Sequence, residues 1–576
     1  MSIRSVMAIV LLGCTVSGCA VGPQYHAPEP EFPPQWHQAA ADGLSPGAAN
    51  LQEWWLVFAD DQLSGLIHRA LEGNLDLRLA MLRVREARAL RGIAAGELLP
   101  SLAGRSSYQR TKYSANGFFG SAIGRSAGGS ATFTESVARG VAGGYLSQGL
   151  GTILPEVPGL ASSVAGNLVG MVPGRTKLPD TDEMNLFSTG FDASWEVDVF
   201  GGIRRSVEAA DGELAATMED YRSVQVSLLA EVAATYIDVR ALQSQIEATR
   251  RNIELQKQTL SLTRARFDAQ LTSELDVHQA RTNLATTESE LPLLETGLTL
   301  AIYRLGVLLG GEPAALYDEL SAARVIPQPP TETFVGVPAD LLRRRPDIRA
   351  AERRLAAQTA RIGVAAAELY PRFTLSGTLG FDARDFNHML DGRSITYGLG
   401  PAVHWNLFAG LRNLHRIAAQ EAATHYAYVS YERTLLVALQ DVESAMVAYK
   451  SEQARRDALL RAAEAARRAV QIAEKRYEDG LTDFQNVLVA QRSLVNLENA
   501  VAQSRGQVAV YLVALYKALG GGWSPDQAPQ SEFLHEGPDV LSRPFDFFFT
   551  GGRMNLPWET QPDPGGESRT TTTNEE

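Results

Sequence analysis

Residues Ala301–Gly311 read AIYRLGVLLGG, and 210 positions later Tyr511–Gly521 read YLVALYKALGG. Three further matches occur in the same order: Arg266-Phe267 with Arg476-Tyr477, Phe200–Arg204 with Phe408–Arg412, and Gly92–Pro100 with Gly363–Pro371. Ordered matches at near-constant spacing indicate an internal duplication. The offset is 271 between Gly92–Pro100 and Gly363–Pro371, but only 208 between Phe200–Arg204 and Phe408–Arg412. The first half therefore carries about 63 extra residues between these two matches. The glycine-rich stretch 113–180 accounts for them and is typical of a flexible loop.

Each half contains segments of strictly alternating polarity. In 187–199, apolar side chains such as Phe191 and Trp195 alternate with Asp192, Ser194 and Glu196, which predicts a strand with one apolar and one polar face. The same alternation predicts strands at 373–382 and 395–407, and a weaker one at 102–112. Strands of about ten residues with terminal aromatic side chains are typical of transmembrane barrels, although a soluble sandwich alternates in the same way. Four strands are too few to close a barrel, so copies of the chain would have to combine them.

The remaining segments are predicted to be long helices. No proline interrupts 202–291 or 402–524. Within 232–267 every seventh residue is apolar, which predicts a coiled-coil seam: Val232, Val239, Ile246, Ile253, Leu260 and Phe267. The corresponding line in the second half is weaker because Arg456 interrupts it: Val442, Tyr449, Arg456, Ala463, Val470 and Tyr477. The seams break at 270–273 and 480–483, which we interpret as turns at the tips of two helical hairpins.

Composition excludes several classes of protein. The 576 residues carry a net charge of -13, which argues against a nucleic-acid-binding protein. The two cysteines, Cys14 and Cys19, exclude a disulfide framework and a cysteine-based metal cluster in the body of the chain. No uninterrupted apolar run of 18 residues follows residue 20, which excludes a helical membrane protein but leaves a β-barrel possible.

The N-terminus is predicted to be a secretory signal peptide. Arg4 precedes the apolar stretch 5–12, and Val16-Ser17-Gly18-Cys19 follows. Small residues directly before Cys19 resemble the bacterial lipobox, in which the cysteine becomes the lipid-bearing first residue. Cys14 is a competing match, and an ordinary signal peptide that contains cysteine is the simpler alternative. We expect palmitate labelling to depend on Cys19.

Beyond these patterns, the chain resembles the TolC-like outer-membrane efflux proteins, in the lipoprotein branch that serves RND-type (resistance-nodulation-division) pumps. The residues that carry the resemblance are Gly18–Pro23 with Tyr25 and Pro28, Trp54-Trp55 with Phe58 and Asp60, Asp340–Arg349 with Ala351-Glu352, and the two hairpin tips. The resemblance covers about 18–523 and departs from the family pattern at 113–180 and in the tail.

The resemblance implies a mainly α fold with a membrane β-barrel. Three copies would give four strands each to one twelve-stranded outer-membrane barrel, and their coiled-coil helices would form a periplasmic α-barrel. The expected segments are a signal peptide 1–18, a lipidated extended segment 19–53, a first repeat 54–310, an equatorial linker 311–336, a second repeat 337–523 and a disordered tail 524–576. The resemblance implies that the chain assembles as a homotrimer. The implied partners of this trimer are a periplasmic membrane-fusion adaptor, an inner-membrane transporter, most simply of the RND type, and outer-membrane lipid.

No enzyme motif appears, and we expect a passive channel without catalytic residues, cofactor or metal. GxxxxGK[ST], GxSxG and HExxH are missing from the sequence. Arg343-Arg344-Arg345 is interpreted as a structural cluster that pairs with Asp340 or Asp347, and Trp54-Trp55 as packing.

Two sets of side chains are candidates for function at the hairpin tips, and one set on the strands. The resemblance implies adaptor contact at the tips: Leu271, Thr272, Ser273, Asp276, Gly480, Leu481, Thr482 and Asp483. It also implies an acidic ring at the periplasmic aperture, with Glu474 as first candidate and Glu478 and Asp479 beside it. Turn and cap residues, or a solvated helix surface, are the simpler alternatives. On the strands, Asp192, Glu196 and Asp198 are expected to face the lumen and to favour cations.

The expected function is the outer-membrane exit of a tripartite efflux pump for drugs or toxic compounds. Two alternatives remain open at this point. One is an exit channel for type I protein secretion. The other is a lipid-anchored periplasmic coiled-coil scaffold, against which the alternating strands argue.

Overall fold

A computed structural model describes residues 20–30, 33, 36–37, 44–45, 51–112, 184–329, 333–334 and 341–524. The predictions for the signal peptide, Cys14, Cys19, Asp340, the glycine-rich insertion and the tail from 525 onward lie outside these residues. The described chain divides into two compact units. One contains the four long strands, within 95–204 and 367–410. The other contains most of the helical residues, within 22–94, 205–366 and from 411 onward, and a short parallel pair of strands, Leu44–Ser45 with Thr333–Phe334.

The strand unit is one antiparallel sheet. Its strands follow the order β1-β2-β3-β4: β1 Ser101–Thr111, β2 Met184–Val197, β3 Arg372–Ala383 and β4 Ile395–His404. The central pair joins the two repeats, from Phe187 opposite Ala383 to Val197 opposite Phe373. All four predicted strands are therefore present, with their ends shifted by up to three residues.

The sheet has one apolar and one polar face, as the alternation predicts. Residues that pair across neighbouring strands lie on the same face of the sheet. Phe191, Leu379 and Tyr397 pair in this way and share the apolar face. Ser107, Ser188 and Asp382 align on the other face, where the Ser188 hydroxyl donates to the Asp382 carboxylate at 2.6 Å. Because apolar side chains on such a face are exposed in one chain, they need lipid or protein to cover them.

The helical unit repeats with equal lengths. Its helices are α1 Asp61–Gly73, α2 Leu75–Gly96, α3 Gly202–Asp268, α4 Glu274–Leu308, α5 Pro346–Ala367, α6 Arg412–Glu478 and α7 Phe484–Ala518. The helices α3 and α6 have 67 residues each, α4 and α7 have 35, and α2 and α5 have 22. At 1.5 Å per residue, α3 and α6 are each about 100 Å long. Equal lengths in equal order confirm the duplication.

The predicted seams are buried over most of their length. In α3, Val232 and Val239 are fully buried and Ile246 and Ile253 nearly so, whereas Phe267 is 39% exposed at the helix end. In α6, every position of the corresponding line except Arg456 is buried, so this seam is as complete as the first. Arg456 remains at the surface by pairing with Asp457 at 2.9 Å.

Short elements pack around the middle of α3 and the end of α7 and form the main core. A 3-10 turn, Trp54–Phe58, buries Trp54, which stacks on Tyr516 at 5.5 Å and meets Trp55 edge to face. Two consecutive short helices, Pro313–Leu316 and Tyr317–Leu320, also belong to this region. The segment that follows them contacts α3, where Arg240 bonds to Ala322. This Arg240 is fully buried, and it donates to the carbonyl of Ala322 at 3.0 Å and to Gln62 at 2.5 Å.

One helix of the described chain, α4, is long and apolar enough to cross a membrane by length and composition, with a mean hydropathy of 1.3 in its most apolar stretch. By length and composition, α4 therefore does not fit the expectation that no helix could cross a membrane, since mean hydropathy tolerates polar residues that an uninterrupted apolar run excludes. Ion pairs bind α4 along α3 instead. Glu295 meets Arg250 at 2.8 Å and Arg304 meets Glu231 at 2.6 Å, which makes α3 and α4 one hairpin.

Candidate functional site

The two hairpin tips have the same backbone structure. At the first tip, the Leu271 amide donates to the Arg266 carbonyl at 2.8 Å, and at the second Leu481 donates to Arg476 at 2.7 Å. Both turns place one residue at positive φ, Gln270 at 60° and Gly480 at 72°. These bonds end each helix with a left-handed residue, in the manner of a Schellman motif. The predicted turns are therefore confirmed, and both occupy the same positions of the repeat.

Exposed leucines stand out at the tips. Leu271 and Leu481 are each 66% exposed, and Leu275 is 62% exposed one turn into α4. The threonines that follow the first two are engaged within their own tips. The Thr272 hydroxyl bonds to the Asp276 carboxylate, and Thr482 accepts from Asn486 at 2.8 Å. Ser273 and Asp483 are the residues before α4 and α7, and both are exposed.

Contacts join the two tips within one chain. The Arg266 guanidinium lies 4.8 Å from the centre of the Tyr477 ring and donates to the Glu478 carbonyl at 2.9 Å. The Tyr477 hydroxyl lies 3.4 Å from that of Thr272, and its ring packs on Phe484. In the sequence, Arg266 and Tyr477 mark equivalent positions of the two repeats, and Tyr477 also belongs to the second seam. Their recurrence beside both tips was the signal that could have suggested a role.

The three predicted aperture carboxylates occupy two different environments. Glu478 and Asp479 are exposed and share Lys475, at 3.4 and 3.2 Å. These bonds raise the pKa of Lys475 above its usual value, first through Asp479. Glu474, by contrast, is half-buried between helices, where it accepts from Gln491 at 2.8 Å. The first-choice aperture residue therefore points into the helical packing rather than presenting a freely exposed carboxylate.

The predicted carboxylates of the sheet also differ. Asp192 lies on the polar face and approaches Arg105 of β1 at 3.6 Å. Glu196 lies on the same face, opposite Thr374. Asp198 follows the end of β2, and its carboxylate accepts from the backbone amides of Ile203 and Arg204 at 3.2 and 2.8 Å. The expectation of a lumen-facing Asp198 is corrected, because this side chain satisfies amides at the start of α3.

An aromatic cluster lies where the strands meet the start of α3. Phe200 stacks on Tyr370 at 4.6 Å, and the Trp195 indole donates to the Leu98 carbonyl at 2.9 Å. The N-terminal segment reaches the same place, because the Val21 amide donates to the Phe200 carbonyl at 3.1 Å. Ala20, which follows Cys19, lies against Gly201, directly after Phe200 of this cluster. Aromatic side chains of this kind mark membrane interfaces.

Within the arginine cluster, the contacts of Arg345 indicate a structural role. Arg345 pairs with Asp347 at 2.7 Å and with Asp441 at 3.0 Å, and it donates to the carbonyls of Ala438 and Ala518. Among the described residues, no group of three His, Cys, Asp or Glu side chains is placed to hold a metal ion.

The chain has a two-faced four-stranded sheet and two long helical hairpins, and solved outer-membrane channels share its fold. The chain matches the outer-membrane channel OprN with a TM-score of 0.72 and 33% identity, over 88% of this chain and all of that one. It matches the VceC outer membrane protein of Vibrio cholerae with a TM-score of 0.66 and 25% identity, over 83% of this chain and all of that one.

Sequence comparisons give the family. The outer membrane efflux protein family matches residues 160–311 and 337–521. The pyoverdine export outer membrane protein OpmQ of Pseudomonas aeruginosa is 31% identical over 86% of this chain and 92% of its own length. The toluene efflux pump outer membrane protein TtgF of Pseudomonas putida is 27% identical over 89% of this chain and 96% of its own length.

The chain therefore belongs to the outer membrane efflux protein family. The predicted family, fold class, outer-membrane location and efflux role are confirmed. The family is one of efflux channels and not of enzymes. The segment boundaries and the site residues stay predictions.

Proposed function

We propose that three copies of this chain form a passive outer-membrane exit for small molecules, which an inner-membrane transporter of the RND type delivers through a periplasmic adaptor. The observation that carries the proposal is the sheet. Its four strands have one apolar face, and β1 and β4 are its edges. An open edge in a bilayer leaves backbone groups without partners, so β1 of one copy must pair with β4 of the next.

Small molecules are the favoured cargo because of the relatives. The similar proteins are named for pyoverdine export and toluene efflux, which are both small compounds. A passive exit also agrees with the polar sheet face, where hydroxyl, carboxylate and glycine positions predominate and Arg105 pairs with Asp192.

Reconstitution tests the exit function. The purified protein in planar bilayers should give single-channel currents, and a strain that lacks its own outer-membrane efflux components should regain efflux when the chain is expressed with a matching adaptor and transporter. A protein that migrates as a trimer before heating but conducts nothing would contradict the proposal.

The adaptor contact is assigned to the tips, and first to Leu271 and Leu481. Their equal exposure at equivalent positions of the repeat supports a role outside the chain, since nothing within each tip covers them. Thr272 and Thr482 support the shape of the tips through their own hydrogen bonds. Leu271→Asp with Leu481→Asp should abolish adaptor binding in pull-down assays while channel abundance is unchanged. Leu390→Asp, at a 77% exposed leucine between β3 and β4, is the matched control.

The aperture is assigned to Glu478 and Asp479. Three copies of each carboxylate around one axis would repel one another and attract cations. Lys475 partly offsets this charge. Glu478→Gln should reduce block by divalent cations, measured as the concentration that halves the single-channel current.

The lipid anchor is assigned to Cys19. Its support is the position of Ala20 and Val21 beside the aromatic cluster, where an attached acyl chain would reach the membrane directly. Cys19→Ala should remove palmitate labelling, whereas Cys14→Ala should leave it intact.

A further inference from the structure

A stretch of polar side chains is buried on α3 where a coiled coil usually has apolar residues. The positions follow the alternating three- and four-residue spacing of a coiled-coil seam, and every side chain in the set is 5% exposed or less: Thr249, Asn252, Gln256, Thr259 and Thr263. Apolar residues normally fill such positions and provide most of the stability of the seam. We call this stretch the polar seam.

Hydrogen bonds to α7 hold the polar seam. Asn252 donates to the Glu498 carboxylate at 2.9 Å, and the Gln491 amide donates to the Thr259 hydroxyl at 2.7 Å. Glu498 is also neutralised by Arg467 of α6 at 2.7 Å. The α3–α4 hairpin therefore contacts the α6–α7 hairpin here through polar bonds, which water can replace at little cost when the helices separate.

Glu474 lies in the same region, but among the described residues no basic side chain pairs with it as Arg467 pairs with Glu498. It accepts from the Gln491 amide of α7 at 2.8 Å and lies 3.3 Å from the Thr259 hydroxyl of α3. The single hydroxyl proton of Thr259 is shared between Glu474 and the Leu255 carbonyl at 3.0 Å, and both donor groups are neutral. Burial raises the pKa of Glu474 above that of an ordinary glutamate, and the charge of Glu478 one turn away raises it further.

The nearby basic side chains are engaged elsewhere. Lys475 on the same helix pairs with Glu478 and Asp479. On α3, Arg266 lies over the Tyr477 ring. On α7, Arg492 donates to Asn283 of α4 at 3.0 Å. Glu474 thus faces neutral donors from both partner helices, with Glu478 as the charge that acts on it.

A second polar group marks the seam as incompletely satisfied. Both the amide nitrogen and the carbonyl oxygen of the Gln256 side chain are buried without a hydrogen-bond partner among the described residues. Gln256 precedes Thr259 by one helical turn on the same face of α3. An unpaired buried amide is unfavourable, and separation of the helices would let water bond to it.

We propose that the Glu474 carboxyl, held by Thr259 and Gln491, is a proton-binding site that links the packing of the two helical hairpins to pH. A bound proton removes the uncompensated charge and allows the seam to remain packed. Loss of that proton leaves a half-buried carboxylate that gains hydration when the seam opens. The site lies within one chain, so it does not depend on the proposed transport function.

The direction of the pH effect follows from linkage. Because burial raises the pKa of Glu474, the packed seam binds a proton more tightly than an opened seam, in which the carboxyl is hydrated. Packing is therefore most favoured below the pKa of an ordinary glutamate. This advantage is lost as the pH rises through the raised pKa.

Hydrogen–deuterium exchange of the purified full-length protein in lipid nanodiscs tests the proposal without any transport measurement. Peptides that cover 249–263 and 484–498 should lose protection between about pH 4.5 and about pH 8, after correction for intrinsic exchange rates. The loss should be up to about tenfold for each pH unit by which burial raises the pKa. Glu474→Gln should remain protected throughout, because its side chain imitates the protonated acid.

Two further variants complete the test. Glu421→Gln removes an exposed carboxylate near the start of the same helix and should keep the wild-type profile. Gln491→Leu removes the 2.8 Å donor that favours the ionised form, so it should move the transition to higher pH by about one unit. A wild-type profile without pH dependence, or a Glu474→Gln profile like that of wild type, would overturn the proposal. If Glu474→Gln does not fold, an unmoved transition in Gln491→Leu would overturn it.

Discussion

Arg345 connects three parts of the helical unit through one guanidinium. It is 8% exposed, it pairs with two aspartates, and it donates to carbonyls at the end of α7 and in α6. A planar group with five donors can serve all four acceptors, whereas an ammonium cannot. The described contacts of Arg345 therefore support a structural role.

Arg345→Lys should lower the free energy of unfolding by about 1–3 kcal/mol, since two or more hydrogen bonds are lost while the charge remains. Denaturant titration of the purified protein, followed by circular dichroism, measures the change. Arg353→Lys is the control because Arg353 is exposed and pairs only with a neighbouring glutamate in the described contacts. Equal midpoints for the two variants would contradict the structural role.

On the polar face of the sheet, Arg105 should reduce the cation preference that Asp192 would otherwise confer. The two charges lie 3.6 Å apart and partly cancel. Arg105→Gln should raise the cation-to-anion permeability ratio by about twofold or more, measured as a reversal potential in a salt gradient. Adding Asp192→Asn should return the ratio to the wild-type value. An unchanged ratio in Arg105→Gln would show that this face is not the lumen.

The periodicity of a sequence predicts which face of a strand a side chain occupies, but it does not show where the strand ends. Asp198 has the parity of Asp192 and Glu196, but β2 stops at Val197, and the Asp198 carboxylate accepts from the amides of Ile203 and Arg204 at the start of α3. Glu474 is the first candidate for the aperture in the sequence, where only its position before the second tip is visible. The helical rotation at that point turns it toward Thr259 and Gln491, which one sequence cannot show without the partner helices.

Among the elements, the two hairpin turns are a matched pair that differ in one important residue. Gln270 has φ at 60° where the second repeat has Gly480 at 72°. A side chain in this left-handed conformation costs about 1–2 kcal/mol relative to the right-handed one, and glycine avoids that cost. The first turn is therefore strained relative to the second.

Gln270→Gly should stabilise the protein by up to about 1 kcal/mol, and Gly480→Gln should destabilise it by a similar amount. The thermal midpoint of each variant measures the effect, and the double exchange should lie near wild type. No space constraint interferes at Gly480, whose nearest neighbour is the flexible end of Arg266 at 3.7 Å from an added Cβ. A stabilising Gly480→Gln would contradict the argument.

Elements with strong periodicity were predictable to within a few residues. The four strands and both tips follow directly from alternation and from the broken seven-residue repeat. The polar seam was not found, because the apolar line through Val232 and Ile253 concealed a second line of buried polar residues beside it. Arg456 appeared to weaken the second seam, yet its neighbours Tyr449 and Ala463 are buried. A long side chain can leave a seam by extending to the surface, which composition does not reveal.

At the scale of the whole molecule, one chain leaves two complementary helix surfaces uncovered. Exposed apolar side chains form a line along α2 that includes Leu75, Leu79 and Leu82. A second line follows α6 through Val429 and Leu436. The helix α2 has five arginines against two acids, whereas 419–444 of α6 has four acids against one arginine. A surface of each kind on every copy allows a head-to-tail ring in which α2 of one chain covers α6 of the next.

Leu79→Asp with Leu82→Asp should therefore prevent trimer formation, because the change places two charges in an apolar contact between copies. Both side chains are about half exposed in a single chain, at 55% and 47%, so the fold of the chain itself should tolerate the change. Unheated gel electrophoresis and analytical ultracentrifugation in detergent measure the outcome, and Leu390→Asp should remain trimeric. If the double variant stays trimeric, α2 does not contribute to the interface. Ring closure would then rest on the sheet edges alone, where β1 of one copy pairs with β4 of the next.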